Sequence, residues 1–343
     1  MKAYFADHLV LQEPDNGRIW ALGKETMPAL VEAPEDVMLE ALSQLPADPL
    51  DECIYTASRN WSLSLDPACL DMTVSFGTRI VRVRCWHRVL SLALGDMLSP
   101  YSVEGRAETT LDLLVEDGKS ALFKDGQFIL EVRRVSWSPI IRLLAKELNG
   151  NINVAAVLHA AAVFFPGFGT VLLTAPTGAG KTTLTCGLIS IGGRLLAEDA
   201  TPIERGTGLA WPCPLPLSLK SGSWQIVSEI LGADLSDLPI RGVGSRRIRF
   251  LPSPKDIDLN MGYPVRMILF PQWSKGENSK VRRLDPMQAL SRLQDCGTWP
   301  VDDAKNLPDF LEWLEPLPCF SLSYGTTNGG LQIIKSLMQL RGD

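Results

Sequence analysis

Just past its midpoint the chain reads Thr174-Ala175-Pro176-Thr177-Gly178-Ala179-Gly180-Lys181-Thr182-Thr183. An apolar run, residues 171–173, comes before this stretch, and a run with helical character, residues 184–189, follows it. Strand, glycine-rich loop and helix form the context that a phosphate-binding loop requires. A turn that matches a short pattern by chance is the alternative, and it leaves both flanking elements unexplained. The stretch therefore predicts an α/β fold with a nucleotide-binding core.

The loop, residues 175–183 (the P-loop below), matches G-x-x-x-x-G-K followed by Ser or Thr from Gly180 onward, with Ala175 in the place of the first glycine. Loop N–H groups and the positive end of the following helix face one anion in such a loop. Lys181 can reach the outer phosphates of ATP or another nucleoside triphosphate, and the Thr182 hydroxyl can ligate Mg²⁺. The residues expected to contact the nucleotide are Ala175, Pro176, Thr177, Gly178, Ala179, Gly180, Lys181, Thr182 and Thr183.

Composition limits the class of protein. The chain has 343 residues, 45% of them hydrophobic and 21% charged, which is typical of a globular protein of two domains or of one large domain with a companion. A formal net charge of −6 argues against nucleic acid and anionic lipid as partners. The 7 cysteines lack C-x-x-C pairing, which predicts reduced thiols.

Neither a signal-peptide-like run at the N-terminus nor a membrane-spanning segment is predicted. The longest apolar segment, residues 154–168, is interrupted and too short to cross a bilayer. We therefore expect a cytoplasmic protein without membrane association.

Residues 1–150 are predicted to form a separate N-terminal α+β domain, with a possible role in recognising the substrate or another partner. Residues 73–86 alternate apolar and polar positions and predict one strand. Hairpin turns are predicted at Asp117-Gly118 and Asp125-Gly126. Helical periodicity is found at residues 37–45, 87–98 and 138–148.

A second candidate element lies after the predicted P-loop helix, where an apolar strand ends in Glu198-Asp199. Two acids at this place are expected to supply a Mg²⁺ ligand and a base carboxylate. A hydroxyl that attacks a phosphate loses its proton, and a carboxylate within hydrogen-bond reach accepts it. We assign Asp199 as the base or a metal ligand and Glu198 to the other role. A solvated turn is the alternative.

Basic and aromatic residues supply weaker candidates. Arg246 and Arg247 lie in the densest basic stretch and can place positive charge on a transferring phosphoryl group, although a solvated strand face is equally compatible. Lys220 follows an extended, proline-rich arm, residues 211–216, that can return to the nucleotide. Residues interpreted as core or interface rather than base-stacking platforms are Trp224, Trp273 and Trp313.

The order of Leu158-His159-Ala160, a strand, the P-loop, a helix and Glu198-Asp199 resembles the HPr serine kinase family over roughly residues 150–340. That family is similar to phosphoenolpyruvate carboxykinase in its nucleotide core. The resemblance implies a catalytic domain at residues 151–343 that uses ATP and Mg²⁺ to phosphorylate serine. It also implies a functional role for His159, for which a structural core histidine is the alternative. Family members are often oligomers, so a homo-oligomer is compatible with the resemblance.

The chain departs from HPr kinases proper in several places. Ala175-Pro176-Thr177 and Thr182-Thr183 replace the family's usual loop residues, and Glu198 stands where an aspartate is common. These departures favour a peptide or protein other than HPr as the serine acceptor. The layout resembles the kinases of lasso-peptide gene clusters, which phosphorylate a serine at the end of a peptide precursor. The remaining alternatives are a nucleotide-binding module that transfers no phosphate and a small-molecule kinase.

Overall fold

The computed structural model describes residues 2–5, 8–12, 19–22, 61–63, 66–76, 79–132, 134–243, 246–254, 256–296, 299–300 and 306–340. Its strands are β1 (Lys2–Phe5), β2 (His8–Gln12), β3 (Ile19–Leu22), β4 (Leu70–Ser75), β5 (Ile80–Cys85), β6 (Thr109–Glu116), β7 (Lys119–Lys124), β8 (Gln127–Val132), β9 (Val154–Leu158), β10 (Ala160–Phe165), β11 (Gly169–Thr174), β12 (Arg194–Ala197), β13 (Thr201–Glu204), β14 (Leu209–Ala210), β15 (Leu217–Lys220), β16 (Arg241–Val243), β17 (Arg246–Leu251), β18 (Tyr263–Trp273), β19 (Lys280–Leu284), β20 (Trp299–Pro300) and β21 (Cys319–Tyr324). Its helices are α1 (Arg88–Leu98), α2 (Ser138–Leu148), α3 (Lys181–Ser190), α4 (Trp224–Leu231), α5 (Pro286–Asp295), α6 (Asn306–Leu314) and α7 (Thr327–Gln339).

The P-loop lies on a central 10-stranded sheet. The main path through this sheet is β12-β10-β11-β18-β14-β13-β9-β20, with β21 also beside β18 and β19 beside β21. Strand β11 is antiparallel to its hairpin partner β10 and parallel to β18, which is in turn parallel to β21. The carboxyl ends of β11, β18 and β21 therefore meet at one edge, the place where α/β sheets bind ligands.

Helices cover both faces of this sheet. Side chains alternate along a strand, and on β11 Leu172 enters one buried cluster while Val171 and Leu173 enter the other. Residues of α3, α4 and α7 pack in the second cluster, and residues of α2, α5 and α6 pack in the first. The strand, loop and helix predicted around residues 175–183 are confirmed, as is the α/β class.

A second sheet, β4-β5-β6-β7-β8, lies in the N-terminal half. The turns predicted at Asp117-Gly118 and Asp125-Gly126 are confirmed, and both aspartates adopt positive φ, 50° and 49°. The single strand predicted at residues 73–86 is wrong, because β4 and β5 are two strands that pair with each other up to Ser75 and Ile80. Alternation has the same period in a hairpin as in one strand, so the pattern does not reveal the break.

Two smaller sheets complete the described strands. Strands β1, β2 and β3 pair antiparallel in sequence order, and β17 pairs antiparallel with both β15 and β16. Helices α1 and α2 match the periodicity predicted at residues 87–98 and 138–148. The helix predicted at residues 37–45 lies outside the described residues.

The N-terminal and C-terminal halves share one cluster of buried side chains, which includes Leu94 of α1, Leu144 of α2 and Leu172 of β11. Polar contacts reinforce it. The Tyr101 hydroxyl donates to the Pro214 carbonyl oxygen, and Asn149 Nδ2 donates to the Pro212 carbonyl oxygen at 3.1 Å. The division at residue 150 stays a prediction.

All cysteines in the described part of the chain are free thiols: Cys69, Cys85, Cys186, Cys213, Cys296 and Cys319. The helices described here include none that is long and apolar enough to span a membrane.

Candidate functional site

The P-loop connects the end of β11 to the first turn of α3. Gly178 and Gly180 have φ values of +93° and +91°, a left-handed conformation that costs other residues roughly 1–3 kcal/mol. Gly180 directly precedes α3, so the chain enters the helix through a residue without a side chain. The positive end of α3 therefore lies at the loop, as anion binding requires.

The ends of β18 and β21 hold the loop in place. The Trp273 backbone N–H donates to the Ala179 carbonyl oxygen at 3.0 Å, and the Tyr324 hydroxyl donates to the Gly180 carbonyl oxygen at 3.1 Å. A Cβ at position 180 would overlap the Tyr324 hydroxyl and lie 3.1 Å from the Trp273 Cβ. The glycine at position 180 and the neighbouring strand ends together hold this loop shape.

The two acids lie beside the start of α3. Strands β12 and β11 both pair antiparallel with β10, so they run in the same direction and end at the same edge. Asp199 Oδ1 lies 2.5 Å from Lys181 Nζ, which also donates to the Glu198 carbonyl oxygen at 3.0 Å. The Thr182 hydroxyl donates to Glu198 Oε1 at 3.0 Å. Glu198 therefore contacts the threonine, and Asp199 contacts the lysine.

His159 joins this cluster from the junction of β9 and β10. Strand β9 pairs with β13, whereas β10 pairs with β11 and β12, so the chain changes partners at His159. Its Nε2 lies 2.8 Å from Asp199 Oδ1, and its Nδ1 lies 2.7 Å from the Cys296 carbonyl oxygen. The structure therefore places the His159 ring in contact with Asp199.

The hydrogen-bond partners of His159 constrain its protons. A carbonyl oxygen only accepts, so Nδ1 must donate to Cys296 and carries a proton. The other ring nitrogen, Nε2, faces Asp199 Oδ1, so the ring contacts the carboxyl group on one side and the Cys296 carbonyl on the other. Both contacts of Asp199 use Oδ1, and no hydrogen bond from the described residues reaches Oδ2.

Burial and charge shift the two carboxyl groups in opposite directions. Glu198 is 4% exposed, and burial raises its pKa. Burial also raises the pKa of Asp199, but the Lys181 ammonium and the His159 ring together hold that pKa well below its usual range. Burial lowers the pKa of Lys181, yet Asp199 and Glu198 raise it overall. Adjacent acids whose pKa values are shifted in opposite directions are typical of acid–base sites, and Asp199 is the acid whose pKa is lowered.

Thr182 and Glu198 provide the oxygen ligands that Mg²⁺ prefers. Their side chains are already 3.0 Å apart at the start of α3. Within the described ranges, no group of three or more His, Cys, Asp or Glu side chains could hold a metal by itself. Mg²⁺ is usually bound through one or two carboxylates together with substrate phosphates. The residues fit a magnesium ion bound with a nucleotide.

The basic candidates lie on a different sheet. Arg246 and Arg247 belong to β17 and Lys220 to β15, in the sheet β15-β17-β16 rather than in the sheet of the P-loop. Arg247 is exposed, and the side chain of Arg246 is outside the described part of the structure. Five of the predicted site residues do lie together in the structure. They are His159, Lys181, Thr182, Glu198 and Asp199.

Sequence reasoning missed Tyr324 and the Cys296 carbonyl, and it assigned Trp273 to the core or an interface. Trp273 is 47% exposed, so it is not a core residue. Trp224 and Trp313 are half-buried and pack against the buried clusters. The signal for Trp273 and Tyr324 is their position, because each is the last residue of a strand. The Cys296 contact spans 137 sequence positions and has no local signal.

Comparison with known proteins adds a weak structural likeness. No family model matches the chain. No curated protein matches it either. A match among solved structures is the Hpr(Ser) kinase/phosphatase from Coxiella burnetii, with 14% identity, coverage of 54% of this chain and 95% of that chain, and a TM-score of 0.26. A superposition at this TM-score identifies no function.

Proposed function

We propose that this chain is a kinase that uses ATP and Mg²⁺ to phosphorylate a serine hydroxyl of a peptide or protein. One observation carries the proposal: Asp199 Oδ1 lies 2.5 Å from Lys181 Nζ and 2.8 Å from His159 Nε2. A loop that only binds a nucleotide needs the lysine. It does not need a carboxylate hydrogen-bonded to that lysine, or a histidine hydrogen-bonded to that carboxylate. The cluster therefore favours phosphoryl transfer over a binding module.

The donor nucleotide is bound by the loop, Lys181 and Thr182. A triphosphate in the loop attracts the Lys181 ammonium, which exchanges its contact with Asp199 for contacts with phosphate oxygens. Thr182 and Glu198 would hold Mg²⁺, which supplies neutralising charge at the β- and γ-phosphates. The departure of Lys181 removes a positive charge from Asp199, and the Asp199 pKa rises as a result.

Asp199 then serves as the base for the acceptor. It keeps its contact with His159 through Oδ1 and offers Oδ2 to the acceptor hydroxyl. The hydroxyl oxygen forms a bond to the γ-phosphorus, the bond from that phosphorus to the β–γ bridging oxygen breaks, and the hydroxyl proton passes to Asp199. The products are a phosphoserine and ADP. His159 acts as a positioning residue for the carboxylate.

The acceptor is proposed from the layout of the chain. An N-terminal half followed by a P-loop core resembles the kinases of lasso-peptide clusters, so a serine at the end of a peptide precursor is our first candidate, ahead of HPr. We propose that residues 1–150 recognise this partner and that the reaction takes place in the cytoplasm.

Incubation with γ-labelled ATP and the peptide encoded beside the gene tests the proposal. We expect label on the peptide, loss of that label when the acceptor serine is replaced by alanine, and no label with a Lys181→Ala variant. Label on a hydroxylated metabolite and on no peptide would make the chain a small-molecule kinase. ATP binding without any labelled acceptor would make it a binding module.

A further inference from the structure

Trp273 is the one aromatic residue among the large apolar side chains that are exposed in the described part of the chain. It ends β18 and is 47% exposed. Trp224 and Trp313, by contrast, are half-buried and pack against the buried clusters. An indole left in water forgoes one of the largest hydrophobic gains available to a side chain. Its exposure at the sheet edge that carries the P-loop therefore points to a ligand.

The location of Trp273 supports this interpretation. Its backbone N–H donates to the Ala179 carbonyl oxygen at 3.0 Å, and its Cβ would lie 3.1 Å from a Cβ at Gly180. The side chain thus leaves the main chain directly beside the P-loop, at the edge where β11, β18 and β21 end. A nucleotide whose phosphates occupy the loop carries its ribose and base several bonds farther out, within reach of neighbouring strand ends.

Hydrogen bonds to the end of β21 orient the ring of Trp273 and the residue after it. Its Nε1 donates to the Gly325 carbonyl oxygen at 3.2 Å, and the following Ser274 N–H donates to the Tyr324 carbonyl oxygen at 3.0 Å. Gly325 in turn lies against the Glu277 backbone, where a Cβ has no room. This hydrogen bond is at the ring edge, and 47% of the residue remains exposed. An aromatic ring fixed before binding loses little conformational entropy when a ligand stacks on it.

We propose that the Trp273 indole is the stacking platform for the base of the donor nucleotide. The inference rests on the proposed function only in that the P-loop binds a nucleoside triphosphate. Stacking on an aromatic face is tolerant of base identity because every base has a π-face. Trp273 therefore strengthens the binding of ATP and GTP alike and contributes nothing to the binding of a triphosphate that lacks a base.

Calorimetric binding of ATP, GTP and inorganic tripolyphosphate to the wild type and to variants tests this inference. In the Trp273→Ala variant we expect ATP and GTP affinities to fall by about 5- to 100-fold, the range of one base–aromatic stack, with tripolyphosphate affinity unchanged. Trp273→Phe retains a ring and should recover most of the loss. Met261→Ala is the matched control, because Met261 is also 47% exposed but lies just before the opposite end of β18.

The outcomes separate this inference from the proposed kinase activity. Equal losses of ATP and tripolyphosphate affinity in Trp273→Ala would make Trp273 a support of the loop and overturn the inference, as would an unchanged ATP affinity. A wild-type protein that binds none of ATP, GTP and tripolyphosphate would overturn both proposals. The expected binding pattern in a protein that phosphorylates no acceptor would support the base platform and overturn the kinase.

Discussion

Asp199 is the residue on which the proposed chemistry depends. Its Oδ1 is shared between Lys181 and His159, and the charge of Lys181 favours the ionised carboxylate. We expect Asp199 to accept a proton more readily once Lys181 has turned to the phosphates. Glu198, directly before it in sequence, is buried and bonded to the Thr182 hydroxyl. Two adjacent carboxyl groups thus have different partners, which suits them to different roles.

Substitution of His159 tests how Asp199 is positioned. His159→Gln keeps an N–H donor near the position of Nε2, which faces Asp199, whereas His159→Asn keeps one near the position of Nδ1, which faces the Cys296 carbonyl. We expect kcat/KM for peptide phosphorylation to fall about 10-fold in the Gln variant and about 100-fold in the Asn variant, within the range of general-base effects. Equal losses in the two variants would show that the contact with Asp199 is not the important one.

The pH dependence of His159→Asn gives a second readout. Burial raises the pKa of Asp199, but Lys181 and the His159 ring lower it by more. Without the ring the Asp199 pKa rises, so the carboxylate is protonated at a higher pH and the base is lost there. The acidic limb of the kcat/KM profile should therefore move to higher pH. A limb that stays in place would contradict the role of His159.

The sequence predicted the residues around Asp199, but it did not predict which acid contacts Lys181 and which contacts Thr182. Lys181 and Thr182 follow from a local pattern, and Glu198-Asp199 from its usual distance to a second strand. Which acid contacts the lysine depends on the register of β12 beside β10, and that is set by packing across the sheet. The Cys296 carbonyl depends on a segment 137 positions away from His159, so no local pattern contains it.

At the scale of elements, the P-loop is a product of three strands rather than of one motif. Its glycines permit the turn, and the ends of β18 and β21 hold two of its carbonyl oxygens. The loop shape therefore depends on the parallel order β11-β18-β21, which brings distant segments to one edge.

Two alanine substitutions separate backbone strain from packing. Gly178 and Gly180 share nearly the same φ, so alanine at either costs roughly 1–3 kcal/mol in strain. A Cβ at 178 meets nothing within 4 Å, whereas one at 180 overlaps the Tyr324 hydroxyl. We expect Gly180→Ala to lower the free energy of unfolding by more than Gly178→Ala, measured by denaturant unfolding. Equal effects would mean that Tyr324 does not constrain the loop.

Elements with strong local signals were predicted well. Periodicity located α1 and α2, and Asp-Gly turns located the hairpins of β6, β7 and β8. The break between β4 and β5 was missed, because a hairpin preserves the alternation of a single strand. Strands β11, β18 and β21 are far apart in sequence. Their parallel pairing requires helices on both faces of the sheet, which no local pattern in one strand reveals.

At the scale of the whole molecule, the two halves are joined by packing and by polar contacts. One buried cluster contains residues of α1 and α2 together with residues of β11 and α6. The Asn149 side chain donates to the carbonyl oxygens of Ala145 and Pro212, and so ties the end of α2 to the segment before β15. The boundary at residue 150 stays a prediction from the sequence, and no local pattern predicts the packing between the two halves.

Removal of the Asn149 side chain tests this connection. Asn149 is buried, so Asn149→Ala leaves two carbonyl oxygens without their donor, and we expect a loss of about 1–3 kcal/mol in the free energy of unfolding. Asn260→Ala, at an exposed position, is the control and should be near neutral. If unfolding shows two separate transitions and Asn149→Ala shifts neither of them, the halves are not coupled through this contact.

The central claim is that Lys181 binds the donor and Asp199 accepts the proton of the acceptor. The most direct test is to measure ATP affinity and phosphoryl transfer side by side in Asp199→Asn. We predict ATP affinity at least equal to wild type, because Lys181 loses its competing partner, and a fall in transfer of about 10²- to 10⁴-fold. Transfer at the wild-type rate in Asp199→Asn would contradict the account.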